Sequence, residues 1–225
     1  MTHGTQDNAI ITIPKDILST LPVAQASGEI IVIDDENKIE EAVKFLSTSP
    51  MIGFDTETKP SFKKGHLNKV ALVQLSTGKK TYLFRVNQTG FSSFLIQLFE
   101  NPDILKIGLS LRDDFNNIAK ITDFNPQGFI DLQSYVKNFR IIDSSLSKLY
   151  AILFDQRISK GQRLTNWEAD TLTQAQIQYA ALDAQACVEI YKYLEGGNFN
   201  PLESKYLTIP SEIDSDNTAD ENTPI

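Results

Sequence analysis

Apolar and polar residues alternate along this chain with two periods. Short β-like runs cover Ile30–Ile33, Met51–Glu57, Val70–Leu75, Thr81–Val86, Ile104–Leu109 and Phe129–Asp131. Helical spacing, with apolar residues three and four apart, predicts helices at Asp35–Leu46, Phe91–Phe99, Leu111 to about Lys120, Leu132–Phe139, Leu146–Phe154 and Gln174–Glu195. Three neighbouring strands, then strands alternating with helices, predict an α/β fold with a mixed sheet flanked by helices. Residues 1–28 read as a loosely structured lead-in with one short helix near Lys15–Leu21. After Pro201 the chain turns to Ser, Asn, Asp, Thr and Pro. The expected organisation is therefore an extension over 1–28, one domain over 29–202 and an acidic tail over 203–225, disordered from about 206.

Composition narrows the classes. The 225 residues suit one domain, and 41% hydrophobic with 22% charged residues is ordinary for a globular protein. No apolar run reaches membrane-spanning length and the N-terminus carries no signal pattern, so no membrane partner is expected. A single cysteine, Cys187, excludes an internal disulfide and a Cys-rich zinc site, which favours a reducing, cytoplasmic setting. No GxxxxGK loop is present, so a nucleotide-driven motor is not expected. The net charge of −8 looks unsuited to nucleic acid. Residues 203–225 hold six acids and one base, however, which leaves only −3 on the rest.

Three segments carry candidate chemistry. In Met51-Ile52-Gly53-Phe54-Asp55-Thr56-Glu57 the strand alternation puts Asp55 and Glu57 on one face. Two like charges there repel unless something neutralises them, and a divalent cation bound through oxygen is the simple answer. A solvated strand end is the competing account. In Leu111-Arg112-Asp113-Asp114-Phe115-Asn116-Asn117-Ile118, helical phase places Asp114 on the inward stripe and Asp113 off it. Thr173 and Gln176 form a capping box for the last long helix. That helix is apolar on two faces, and Asp183 falls on one of them with no Lys or Arg one turn away. Tyr179 lies one turn earlier on the same side. Taken singly it reads as core packing, as Cys187 and Trp167 do.

Phe54-Asp55-Thr56-Glu57, the Gly108–Asp114 segment and Tyr179-Ala180-Ala181-Leu182-Asp183 together resemble the three motifs of the DEDD exonuclease superfamily. The tyrosine four residues before the last aspartate is similar to the DEDDy branch, which includes ribonuclease D and the Werner-type exonuclease domain. Asn166-Trp167-Glu168 with Leu172-Thr173, and Lys69–Leu75, resemble flanking parts of the same family. The likeness spans about residues 29–197, without room for the further helical domains of ribonuclease D or a helicase segment.

This resemblance implies a ribonuclease H-like fold with a five-stranded mixed sheet, and 3′→5′ removal of nucleotides from single-stranded DNA or RNA ends. It further implies two Mg²⁺ or Mn²⁺ ions. Asp55, Glu57 and Asp183 would hold one and Asp55 would bridge to the second, which Asp114 supports. Tyr179 would orient the attacking water. Lys59, Lys63, Lys64, His66 and Lys69, with Arg157, Lys160 and Arg163, are candidate phosphate contacts, or else simply solvated loops. No obligate protein partner is evident. A catalytically silent nucleic-acid-binding module of the same fold is the alternative, and a hydrolase of short oligonucleotides a third reading. A silent module would tolerate loss of a carboxylate, whereas all four and the tyrosine are present.

Overall fold

A computed structural model of the protein describes residues 8–60 and 69–210. The chain order is β1 (Ile10–Ile11), α1 (Lys15–Thr20), β2 (Glu29–Ile33), α2 (Ile39–Leu46), β3 (Met51–Thr58), β4 (Val70–Ser76) and β5 (Lys80–Phe84). Next come α3 (Val86–Thr89), α4 (Ser93–Glu100), β6 (Leu105–Gly108), α5 (Leu111–Ile118) and β7 (Phe129–Asp131). The last elements are α6 (Leu132–Tyr135), α7 (Leu146–Phe154), α8 (Gln174–Glu195) and β8 (Leu207–Thr208).

Six strands form the main sheet in the order β2-β5-β4-β3-β6-β7. β3, β4 and β5 are an antiparallel meander, while β6 runs parallel to β3, β7 to β6 and β2 to β5. Five of these strands make the mixed sheet implied by the resemblance, and β2 adds a sixth at the edge. β4 is buried along its whole length, as an inner strand covered on both faces must be. One face packs on α2 and α4 through Ile39, Leu46, Leu95 and Phe99. The other lies under α8, whose far side meets α7 through Leu149, Leu153, Ile190 and Leu194.

Predicted and observed elements differ mainly at their ends. Asp35 caps a 3-10 turn over Glu36–Lys38, so α2 begins at Ile39. Ser92 accepts from the Leu95 N–H and sets the start of α4. β5 ends at Phe84, and the short α3 takes over from Val86.

The expected lead-in and tail need correction. Ile11 and Ile13 are buried in the α7–α8 core, with Ala9 and Ala24 also enclosed. β1 pairs with β8, Ile10 facing Thr208 and Ile11 facing Leu207. The Asp143 carboxylate accepts from the Ile13 N–H at 2.9 Å and the Thr12 hydroxyl at 3.0 Å, and pairs with Lys148 at 2.6 Å. Boundaries at 28 and 203 therefore do not separate loose ends from a packed core, and Tyr206 is buried within it. The physical reason is that a two-residue strand is stabilised by its distant partner, which local periodicity cannot reveal. The rest of the expected disordered tail, 211–225, lies outside the described residues.

Candidate active site

The site is built where β3 passes beneath α8. Gly53 makes the approach possible: a Cβ there would lie 1.8 Å from the Ala184 carbonyl oxygen. With hydrogen in that place, α8 rests directly on β3 and brings Asp183 over Asp55 and Glu57. One carboxylate oxygen from each of Asp55, Glu57 and Asp183 lies within 4.8 Å of the others. The fourth acid, Asp114, comes from the first turn of α5 and accepts a hydrogen bond from the Thr56 hydroxyl. Asp113 is exposed, as helical phase predicted.

Asp131 supplies the placement of α5. Its carboxylate accepts from the backbone N–H of Ser110 at 3.0 Å, of Leu111 at 3.1 Å and of Gln133 at 2.9 Å. Ser110 turns through a left-handed conformation (φ 62°) to let the helix start there. Sequence reasoning missed Asp131, Thr56 and Gly53 as supports. Asp131 at the start of a predicted helix was a readable cap signal, whereas the Thr56–Asp114 pairing, between residues 58 apart, was not.

Burial dominates the electrostatics. Asp183 is 5% exposed and Glu57 9%. Burial, followed by the charges of Asp183, Asp114 and Glu57, holds the Asp55 carboxyl well above the usual range. Glu57 is raised by burial and then by Asp183 and Asp114, with Arg163 drawing it down. Burial also raises Asp114, against the Thr56 hydrogen bond. Asp183 is raised by burial to about 7, with the Tyr179 hydroxyl, hydrogen-bonded to it, pulling the other way. The Tyr179 phenol is itself pushed up, by burial and then by Asp183, Glu57 and Asp55. Neutral tyrosine is therefore a donor here. Four carboxyls raised by burial, two of them also by the charges of the others, form an all-oxygen donor set that fits a hard divalent cation.

An open cleft of about 360 Å³ reaches this cluster. Asp55, Asp183 and Tyr179 line it together with Lys160, Arg163, Ser144 and Ser145. Arg157 does not line the cleft; its Nε donates to the Leu21 carbonyl at 3.1 Å and its backbone bridges Val23. That donor is thereby tied to the lead-in. Lys59 pairs with Glu168 at 3.4 Å, and Lys69 is exposed. Lys63, Lys64 and His66 lie outside the described residues. Trp167 is fully buried against Tyr179, their rings 6.1 Å apart.

A ribonuclease H-like sheet with a cluster of acids at the end of its first core strand and a tyrosine one turn before the last acid defines a nuclease-type carboxylate site. The chain belongs to the 3′-5′ exonuclease domain family, whose family model matches residues 30–196. It is 28% identical over 233 residues to the Mus musculus "Bifunctional 3'-5' exonuclease/ATP-dependent helicase WRN", covering 99% of this chain and 16% of that protein. It is 30% identical over 166 residues to ribonuclease D of Haemophilus influenzae, covering 73% of this chain and 41% of that protein. The chain thus spans less than half the length of these curated relatives. The solved Nibbler EXO domain of Aedes aegypti superposes with a TM-score of 0.66 at 25% identity, covering 78% of this chain and 93% of that one. No helix among the described residues is long and apolar enough to cross a membrane.

Proposed function

We propose that this protein is a metal-dependent 3′→5′ exonuclease that hydrolyses phosphodiester bonds at single-stranded 3′ ends of DNA or RNA. The convergence of Asp55, Glu57 and Asp183 within 4.8 Å, with Tyr179 hydrogen-bonded to Asp183, carries the reading. Two ions of the Mg²⁺ or Mn²⁺ type, when bound, would supply a hydroxide-like nucleophile and stabilise the departing 3′ oxygen. Asp55, Glu57 and Asp183 would hold one ion, and Asp55 with Asp114 would hold the second. Thr56 steadies the Asp114 carboxylate with its hydroxyl. The neutral Tyr179 hydroxyl donates towards the attacked phosphate or orients the water. Lys160 and Arg163 hold the phosphate chain in the cleft without reading bases. A reducing, cytoplasmic setting goes with this reading, since the single cysteine, Cys187, is buried.

The test is digestion of 5′-labelled single-stranded DNA and RNA with Mg²⁺, Mn²⁺ or EDTA, using the parent and Asp55→Ala. A ladder of shortening products, lost in EDTA and in the mutant, is the expected result. Binding without cleavage under every metal condition would replace it with the silent-module reading.

A further inference from the structure

Beside the carboxylate cluster stands a buried amide that the mechanism above does not use. Gln74, on β4, is fully buried, and neither its Oε1 nor its Nε2 has a hydrogen-bond partner among the described residues. An apolar residue would pack there without that penalty, so an unpaired amide in the core asks for a reason. Its position supplies one. In the antiparallel β3–β4 register, Gln74 is directly opposite Asp55. Directly opposite residues project from the same sheet face, with Cβ atoms roughly 4.5–5.5 Å apart. Gln74 and Asp55 therefore share the α8 face.

The same face carries a row of hydrogen-bonded buried polar groups that stops at Ser76, two residues from Gln74. Gln185 of α8 exchanges hydrogen bonds with the Ser27 backbone, accepting from its N–H at 3.0 Å and donating to its carbonyl at 2.6 Å. Gln185 Nε2 also donates to Thr81 Oγ1 at 3.0 Å, and Thr81 Oγ1 lies 2.8 Å from Ser76 Oγ. Ser76 Oγ accepts from the Gly78 N–H at 3.0 Å. If Thr81 gives its proton to Ser76, the Ser76 hydroxyl has two incoming donors and its own proton to spare. Gln74 is two residues away on the same strand face. Neither atom of the Gln74 amide joins this row, and the residue across the strand pair from it is Asp55.

We propose that Gln74 is a positioning residue for Asp55: its Nε2–H, unpaired in this structure, turns to the carboxylate when that group is ionised and metal-bound, and fixes its orientation. The inference rests on the metal-site reading above and deepens it. A donor at this place favours the charged form of an acid that its surroundings otherwise disfavour, and it leaves the second carboxylate oxygen for the cation. Gln74 touches neither substrate nor metal; it acts only through Asp55.

The experiment compares the full-length parent with Gln74→Met, and with Gln74→Leu should the methionine variant not fold. Mn²⁺ binding is followed by calorimetry without substrate, melting in EDTA, and kcat and KM on a single-stranded oligonucleotide. The expected result is an unchanged or raised melting temperature in EDTA, together with Mn²⁺ affinity lower by roughly ten- to a hundredfold, as for other supports of metal ligands. kcat should fall at fixed Mn²⁺, recover as Mn²⁺ is raised, and leave KM for the oligonucleotide unchanged. Mn²⁺ affinity within twofold of the parent in the folded variant overturns the proposal while leaving the metal site standing. A parent that binds no Mn²⁺ overturns both.

Discussion

Replacing Asp183 by asparagine should stabilise the metal-free protein while abolishing its activity. Asp183 is 5% exposed and carries its proton up to about pH 7 in the fold, against 3.8 in an open chain. The direction follows from linkage. Between those two values the unfolded chain has released a proton that the folded one retains, so stability falls as pH rises through this window. Near pH 8 the folded anion is disfavoured by at most about 4 kcal/mol at ~1.4 kcal/mol per pK unit. Asparagine keeps the shape and can still accept from Tyr179, so roughly 2–4 kcal/mol should be recovered. For a chain of this length that is a rise of roughly 4–16 °C in Tm. Near pH 4 most of this difference should be gone, because the folded acid is neutral and the unfolded one only about half ionised. Mg²⁺ at about a thousand times Kd should reverse the ranking, because binding then stabilises the folded parent by about 4.1 kcal/mol and the mutant lacks a ligand. Melting of both proteins in EDTA and in Mg²⁺, near pH 8 and near pH 4, is the assay. A mutant that melts clearly below the parent in EDTA near pH 8 would refute the reasoning and show that Asp183 serves the fold.

Three further outcomes follow from the geometry. Tyr179→Phe should cut turnover by on the order of 10²–10⁴ and leave the affinity for a non-cleavable oligonucleotide unchanged; unchanged turnover would make Tyr179 a packing residue. Gly53→Ala should force α8 off β3, since the new Cβ meets the Ala184 carbonyl at 1.8 Å, lowering Tm by roughly 2–12 °C; Mn²⁺ calorimetry should show weaker binding even where the variant folds. Ile11→Ala should destabilise by about 2–5 kcal/mol in urea unfolding, whereas a small effect would mean that the lead-in does not belong to the core.

The elements with strong periodicity were legible in the sequence. α7 and α8 occupy the predicted ranges, and α8 carries the predicted capping box. Asp55 and Glu57 share a face because strand geometry leaves them no alternative, and Asp114 was separated from Asp113 by helical phase alone. What stayed hidden depends on partners distant in the chain. β1 and β8 are two residues each and pair with one another, and Ile11 also bridges Ile141. Gln185, expected on a polar side of its helix, is 1% exposed because Ser27 and Thr81 satisfy its amide. Arg157, read from the sequence only as part of a basic group, has its Nε tied to the Leu21 carbonyl 136 residues away.

The pairing of Ile10 with Thr208 also bears on how the chain acquires its shape during synthesis. A strand made among the first residues must wait for one made nearly two hundred residues later. α8, which supplies Asp183 and Tyr179, is likewise a late product. A growing chain that has emerged only through β7 owns the whole main sheet but has one face bare and three of its four acids uncovered. Such an intermediate has an incomplete carboxylate site, and it exposes apolar surface to neighbouring chains and chaperones. The site is therefore completed by the closing of the molecule, in the same event that hides that surface.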